Sequence, residues 1–482
     1  MYVVGLEVST VSAKAVLCSA TGEVLAVSSR PLSAQESTIV WQDPGGIFQA
    51  TLDCLREVVD HAKRTHKPIR ALGLGGIWHS LLLLDENRQP LEGIRTWADL
   101  SMARHLVDVK RDLSFVEWFY HKTGCVVHAM YPFWKLYGLR REAAPILKQA
   151  HYISSQVEYL FERFTNKTAI SPSLASGTGL FNTHDLAWDQ ELLHFIELES
   201  SMLPPVQTED YAGPLSKEMA ELVGLSAGIP VTVGHADGAL NQIGSGALSS
   251  GIMTFSVGTS GAIRLTTPTP LLGTEAATWC YYLRDGKWLA GAATHAGSNL
   301  NWFMDLFGCA NSKHESLARQ AEELAVSQGP LFLPFVFGER APGWQEERTG
   351  GFLGMRPEHG LEHLYKAVLE GILFALYHSY LKLKDIGDKP SEIRLSGGIM
   401  NSPYWRQMAA DIFGEDLFYT GVVHESTVGA ALLALKACGG VHNLQSFRPP
   451  LQGKITPDAQ RHQLYGERFQ QYLRYYDCVT EE

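Results

Sequence analysis

YVVGLEVSTVSAKAVLCS fills residues 2–19, and GIMTFSVGTSGAIRLTT fills residues 251–267. In the first stretch Tyr2–Val8 reads as a β-strand, Thr10 to Ser12 as a tight turn and Ala13–Ser19 as a returning strand. Thr21-Gly22-Glu23 then turns the chain into a third strand, Val24–Ser29. In the second stretch two apolar runs flank Gly258-Thr259-Ser260-Gly261. Laying Val8–Ala13 on Val257–Ala262 places Thr10 on Thr259, each between an entering and a leaving strand. A meander that returns about 250 residues later reads as an internal duplication of a functional turn.

Between the two hairpins, helical periodicity over Phe48–Arg64 alternates with short strands at Ala71–Gly76 and Leu81–Asp85. After the second come a helix over His363–Asp385, a strand at Glu392–Gly398, and helices over Tyr404–Phe413 and Val428–Gly439. Such alternation argues for α/β layers. A length of 482 residues suggests more than one domain. The loop-rich stretch Gly228–Gly251 is the expected junction, dividing the chain into 1–245 and 246–482.

Composition narrows the function. Apolar residues make up 45% and charged residues 19%, an ordinary globular balance. Lys and Arg number 40 against 51 Asp and Glu, a net charge of −11 with no basic cluster, so no nucleic-acid or anionic-membrane partner is expected. Seven scattered cysteines without a C-x-x-C pair fit neither a disulfide framework nor a zinc site. The N-terminus lacks a basic leader and no long apolar run occurs, so the expectation is a cytoplasmic protein. The sequon at Asn166-Lys167-Thr168 then carries no meaning.

No Walker A loop, G-x-G-x-x-G, H-E-x-x-H or G-x-S-x-G elbow is present. The two hairpins offer another route to phosphate, because turns rich in Gly, Ser and Thr aim N–H groups and hydroxyls at one point. Asp237 follows an apolar strand in Gly234-His235-Ala236-Asp237-Gly238, where a carboxylate at a strand end suits a general base. The plainer alternative is an Asp-Gly turn. Gly397-Gly398, between a strand and a helix, lets a flat ligand approach the backbone. Trp78-His79 and Trp97-Ala98-Asp99 set indole beside polar groups, the usual wall of a sugar site.

These pieces resemble the FGGY carbohydrate kinases. The most specific match is Gly350–Met355, followed after seven residues by His363–Glu370. Met130–Leu136 fits the other signature of the family, except that Gly138 stands where the family has Trp. Leu333-Pro334-Phe335, Gly338-Glu339-Arg340-Ala341-Pro342 and Trp405–Asp411 extend the match almost end to end. The resemblance implies a duplicated actin-like, ribonuclease H-like α/β fold, with a nucleotide and sugar cleft between two domains. It implies ATP and Mg²⁺, with Asp237 as the base that takes the proton of a sugar hydroxyl. Thr10, Val11, Ser12 and Lys14 then face the triphosphate, Gly258 and Thr259 hold its β- and γ-phosphates, and Gly397, Gly398 and Asn401 lie along the adenosine. Trp78, His79, Trp97 and Asp99 contact the sugar, and Glu7 and Asp237 stand near the metal. Family members are often dimers, so the resemblance allows a homodimer, while the sequence itself is silent on oligomeric state.

Three positions depart from the family pattern. Glu7 replaces an aspartate that helps to hold Mg²⁺, Ser9 replaces a glycine of the first hairpin, and Ser101 stands where many members have Arg. Ser9 is costly if its backbone needs positive φ. Glu7 and Ser9 favour a degenerate sugar-binding homologue, whereas Asp237, both hairpins and the intact C-terminal signature favour an active kinase, which is the reading adopted. Local wording at Trp78-His79-Ser80, Thr96–Asp99, Ser173–Ser176, Leu186–Asp189 and Gly258–Arg264 looks most like the gluconate kinase branch. D-gluconate is therefore the expected acceptor, and D-xylulose or another pentulose or polyol the alternative. An aldonate needs a cation for its carboxylate, and with Ser101 in place of Arg the candidates are His79, Arg95, Lys135 and Arg340.

Overall fold

The computed structural model describes residues 1–309 and 313–478. Two seven-stranded sheets organise it. The first holds β1 (Tyr2–Val8), β2 (Ser12–Ser19), β3 (Val24–Pro31), β4 (Ile69–Gly76), β5 (Ala212–Pro214), β6 (Pro230–Thr232) and β7 (His235–Ala236), in the order β5-β6-β4-β1-β2-β3 with β7 also on β4. The second holds β8 (Ile252–Val257), β9 (Ser260–Thr267), β10 (Trp279–Arg284), β11 (Lys287–His295), β12 (Glu392–Gly397), β13 (Leu417–Thr420) and β14 (Leu451–Ile455), in the order β10-β11-β9-β8-β12-β13-β14.

The duplication is plain in the pairing. β1 runs antiparallel to β2 and parallel to β4, and β8 runs antiparallel to β9 and parallel to β12. The correspondence continues outward: β3 matches β11, β6 matches β13, and β5 matches β14 as the antiparallel strand beyond. β10 is an addition at the edge of the second sheet. The central strands β1 and β4 are buried along nearly their whole length, which is why both read as continuous apolar runs rather than as alternation.

The helices that frame the sheets and the cleft are α1 (Pro44–Arg64), α2 (Asp237–Gly244), α3 (Gly297–Leu306), α4 (Leu361–Ile386), α5 (Pro403–Phe413), α6 (Glu425–Ala437) and α7 (Ala459–Cys478). α1 starts where the sequence provides a cap, with the Asp43 side chain accepting from Gly46 N at 2.6 Å and proline at the first helical position. α2 and α6 pack against each other across the two halves of the chain. α6, from the second half of the chain, lies on β1 and β4. There a Cβ on Gly5 would stand 2.1 Å from Thr427 O and one on Gly73 1.8 Å from Ala430 O, so only glycine admits the helix backbone. α2, from the first half, is locked onto the second sheet by buried Gln242. Its amide donates to Ile252 O and Thr266 Oγ1 and accepts from Thr254 Oγ1 at 2.8 Å. These two helices lie on either side of the expected division at 245/246 and meet across it in space. All seven cysteines are free thiols, and no helix among the described residues is long and apolar enough to cross a membrane.

Candidate active site

Strand register brings the chemistry-bearing loops together. Val8 pairs with Gly76 at the end of β1 and β4, and Ala236 of β7 pairs with Gly76 from the other side. The first hairpin turn, Trp78-His79 and Asp237 therefore leave the first sheet side by side. Val257 pairs with Gly397 in the same way, which sets the second hairpin beside Gly397-Gly398. Asp237 is the first residue of α2 rather than a strand residue, and its Oδ1 accepts from Gly238 N at 2.7 Å. Trp78 and His79 lie beyond β4, in a turn where His79 takes φ 62°. A non-glycine residue held in that region points to a functional constraint.

A cavity opens between the halves, walled by Trp78, His79, Trp97, Asp237 and Arg340 together with residues of the second sheet. Ser260, Ala262 and Arg264 reach it by the two-residue period of β9, and Trp279 and Tyr281 by that of β10. Trp279 and Tyr281 stack at 4.4 Å between centroids, and Trp78 meets Tyr281 edge-on at 5.0 Å. His79 Nδ1 lies 2.6 Å from Gly177 O, so Nδ1 carries the proton and Nε2 is an acceptor. Burial keeps this imidazole neutral by holding it well below the usual histidine range.

Charge in the cavity is unbalanced. Burial, reinforced by nearby Glu7, pushes the Asp237 carboxyl up to about 6 against the pull of Arg264, the Gly238 N–H and Arg340. Arg264 donates to Ser256 Oγ at 3.0 Å, and the Arg340 guanidinium lies 4.8 Å over the Trp97 ring. Among the described residues neither arginine finds a partner for its buried Nε. Two guanidinium groups thus face one carboxylate.

Both hairpins adjoin this cavity. Trp97, which walls the cavity, donates from Nε1 to Thr10 Oγ1 of the first turn at 3.3 Å. Ser260 lines the cavity, while the preceding Thr259 lines a second, open cleft of about 440 Å³ with Ser298, Asn301 and Trp302 of α3. Ser298 N donates to Thr259 O at 3.1 Å and Gly297 N to Gly258 O at 2.9 Å, fixing the hairpin on the start of α3. Ser9 does not adopt positive φ, so the expected backbone cost does not arise. Its Oγ accepts from Val11 N at 3.2 Å and Ser12 N at 3.0 Å, closing the turn on itself. Lys14 sits opposite Glu7 across β1 and β2. Glu7 Oε2 accepts from Ser426 Oγ at 2.8 Å and Thr427 Oγ1 at 2.6 Å at the start of α6. Among the described residues no third His, Cys, Asp or Glu joins Glu7 and Asp237 in a metal-sized group. Two carboxylates fit an ion such as Mg²⁺, which usually takes one or two, completing its shell with phosphate and water.

Some sequence expectations need correction. Asp99 does not wall the cavity; its Oδ2 pairs with Arg95 at 3.1 Å and its Oδ1 accepts from Ser101 N. Arg95 is held between Glu92 and Asp99 and over the Trp41 ring, so it is already balanced. Lys135 is buried below the site, donates to Met130 O, and is pushed by burial down to about 7. Of the four candidate cations, Arg340 is the charged one at the cavity wall. Arg264, Trp279 and Tyr281 are site residues that the sequence reading missed. The available signal was Arg264 itself, an arginine on the same strand face as Ser260 and Ala262 within an otherwise apolar run. Gly398 and Asn401 are exposed at the end of β12, beside the second hairpin.

The N-terminal domain of the FGGY family of carbohydrate kinases matches residues 2–244, and its C-terminal domain matches residues 253–438. Gluconokinase of Bacillus subtilis is 31% identical over 463 residues, covering 92% of this chain and 89% of its own. The crystal structure of ligand-bound xylulose kinase from Lactobacillus acidophilus superposes with a TM-score of 0.91 at 28% identity, covering 100% of this chain and 99% of that one. The gluconate kinase from the same organism gives 0.90 at 28% identity, covering 100% and 98%. With both family domains matched across two sheets that repeat one topology, the chain belongs to the FGGY carbohydrate kinases and is an ATP-dependent sugar kinase.

Proposed function

We propose that the protein phosphorylates D-gluconate to 6-phosphogluconate, with D-xylulose or another pentulose or polyol as the alternative acceptor. The charge of the acceptor cavity carries this choice: Arg264 and Arg340 offer two guanidinium groups against Asp237, and an aldonate supplies the missing anion. A neutral ketose leaves one cation desolvated and unbalanced. The xylulose reading draws its support from xylulose kinases that are as similar in sequence and structure as the gluconate kinases.

In this reading Asp237 takes the proton from the attacking hydroxyl, which requires its carboxylate form. Trp78, Trp279 and Tyr281 cover the C–H faces of the acceptor and exclude water, while His79 Nε2 accepts from a hydroxyl. Thr259 and Ser260 stand at the boundary between the two cavities, where the γ-phosphoryl passes from one to the other. Thr10, Val11, Ser12 and Lys14 face it from the first sheet, and Gly397, Gly398 and Asn401 flank the adenosine. Glu7 and Asp237 would hold Mg²⁺, which supplies charge neutralisation on the phosphates. The residues therefore act mainly by positioning and electrostatic stabilisation. ADP release measured over a panel of aldonates, pentuloses and polyols tests the proposal. Gluconate should give the highest kcat/KM; a pentulose or polyol ahead of it removes the acceptor assignment.

A further inference from the structure

We infer that Glu339 and Tyr476 are positioning residues that aim Arg340 into the acceptor cavity, so that α7 takes part in acceptor recognition; this rests on reading Arg340 as the carboxylate partner. The Arg340 side chain is loosely held for a buried cation. Its Nη2 lies 3.7 Å from Met130 Sδ, its guanidinium rests on Trp97, and its Nε is unpartnered among the described residues. The backbone beside it is held far more firmly. Glu339 N donates to Gln345 O at 2.8 Å, Trp344 N to Arg340 O at 2.7 Å and Ala341 N to Ala293 O at 3.2 Å.

Glu339 is the anchor of this segment. It is 1% exposed, and its Oε1 accepts from Tyr476 Oη at 2.7 Å and Gly343 N at 3.1 Å. Its Oε2 accepts from Arg348 Nη1 at 2.7 Å, and Arg348 lies 3.7 Å over the Tyr476 ring and donates to Tyr476 O. The other end of the segment is tied across the molecule. Lys110 Nζ donates to Trp344 O at 2.7 Å and pairs with Glu346, and Ala129 N donates to Glu346 Oε1 at 3.0 Å. The 339–348 segment is therefore a strap fixed to α7, to the first half of the chain and to β11, with Arg340 projecting from it into the cavity. A recognition group with few bonds of its own is only as well placed as its supporting shell.

Steady-state kinetics of Tyr476→Phe and Glu339→Gln, with Arg340→Lys as the reference variant, test the inference. Tyr476→Phe and Glu339→Gln should raise the KM for gluconate about three- to tenfold, with kcat and the KM for ATP within about twofold of wild type. A general loss of Tm and kcat with both KM values shifted would show a purely structural role and overturn the inference. If Arg340→Lys raises the gluconate KM and Tyr476→Phe does not, the inference falls while the reading of Arg340 stands. If Arg340→Lys leaves gluconate untouched, that reading itself falls.

Discussion

Asp237 is the proposed general base, and its surroundings set a measurable pH dependence. Burial raises its carboxyl to about 6, above the 3.8 of a free aspartate, so the base form appears only as pH rises through that value. The kcat/KM should therefore show an acidic limb near pH 6. The same shift works against stability. Between 3.8 and about 6 the folded state binds more protons than the unfolded chain, so the carboxylate costs stability as pH rises through that window, up to about 3 kcal/mol at neutral pH. Asp237→Asn should abolish most turnover, roughly 10²–10⁴-fold, and raise the melting temperature at pH 7.5. Retention of more than half of the wild-type kcat would remove Asp237 from this role. The sequence disclosed this aspartate because a carboxylate next to a strand end and a glycine is a local pattern. It did not disclose the ion pair of Asp99 with Arg95, a tertiary fact that local wording does not contain.

The hairpins show what was legible in elements and what was not. Both turns and their flanking strands were readable, since short apolar runs punctuated by Gly, Ser and Thr have few other solutions. The side-chain bonding inside the first turn was not. Ser9 Oγ occupies the Val11 and Ser12 N–H groups that a glycine would leave open to phosphate. Ser9→Gly should accordingly lower the KM for ATP, by about three- to tenfold, with the gluconate KM little changed. An unchanged or higher KM for ATP would show that those N–H groups do not face the nucleotide. Arg264, Trp279 and Tyr281 were hidden for a related reason: a strand pattern gives two faces but not which of them meets a cavity.

At the scale of the whole molecule, the duplication was visible as two meanders, and the paired sheets extend it to six corresponding strands in each half. The placement of α6 on the first sheet was hidden, because nothing in a helix's own pattern says which sheet it will cover. That placement matters for the site. α6 delivers Ser426 and Thr427 to Glu7, and α2 begins with Asp237, so both carboxylates depend on helices that cross between the halves. The longer arm of Glu7, a departure from the family pattern, reaches the first turn of α6.

The cavity formed between the halves is proposed to recognise an acid. D-gluconate and D-glucitol test it most directly, since they share a six-carbon polyol chain and differ at C1 in carboxylate against hydroxymethyl. Coupled ADP release should give gluconate a kcat/KM about tenfold to a hundredfold higher, the worth of one charge-assisted hydrogen bond of about 1.5–3 kcal/mol. Equal turnover of the two, or a preference for glucitol, would contradict the account and leave the two arginines without the anion they are proposed to bind.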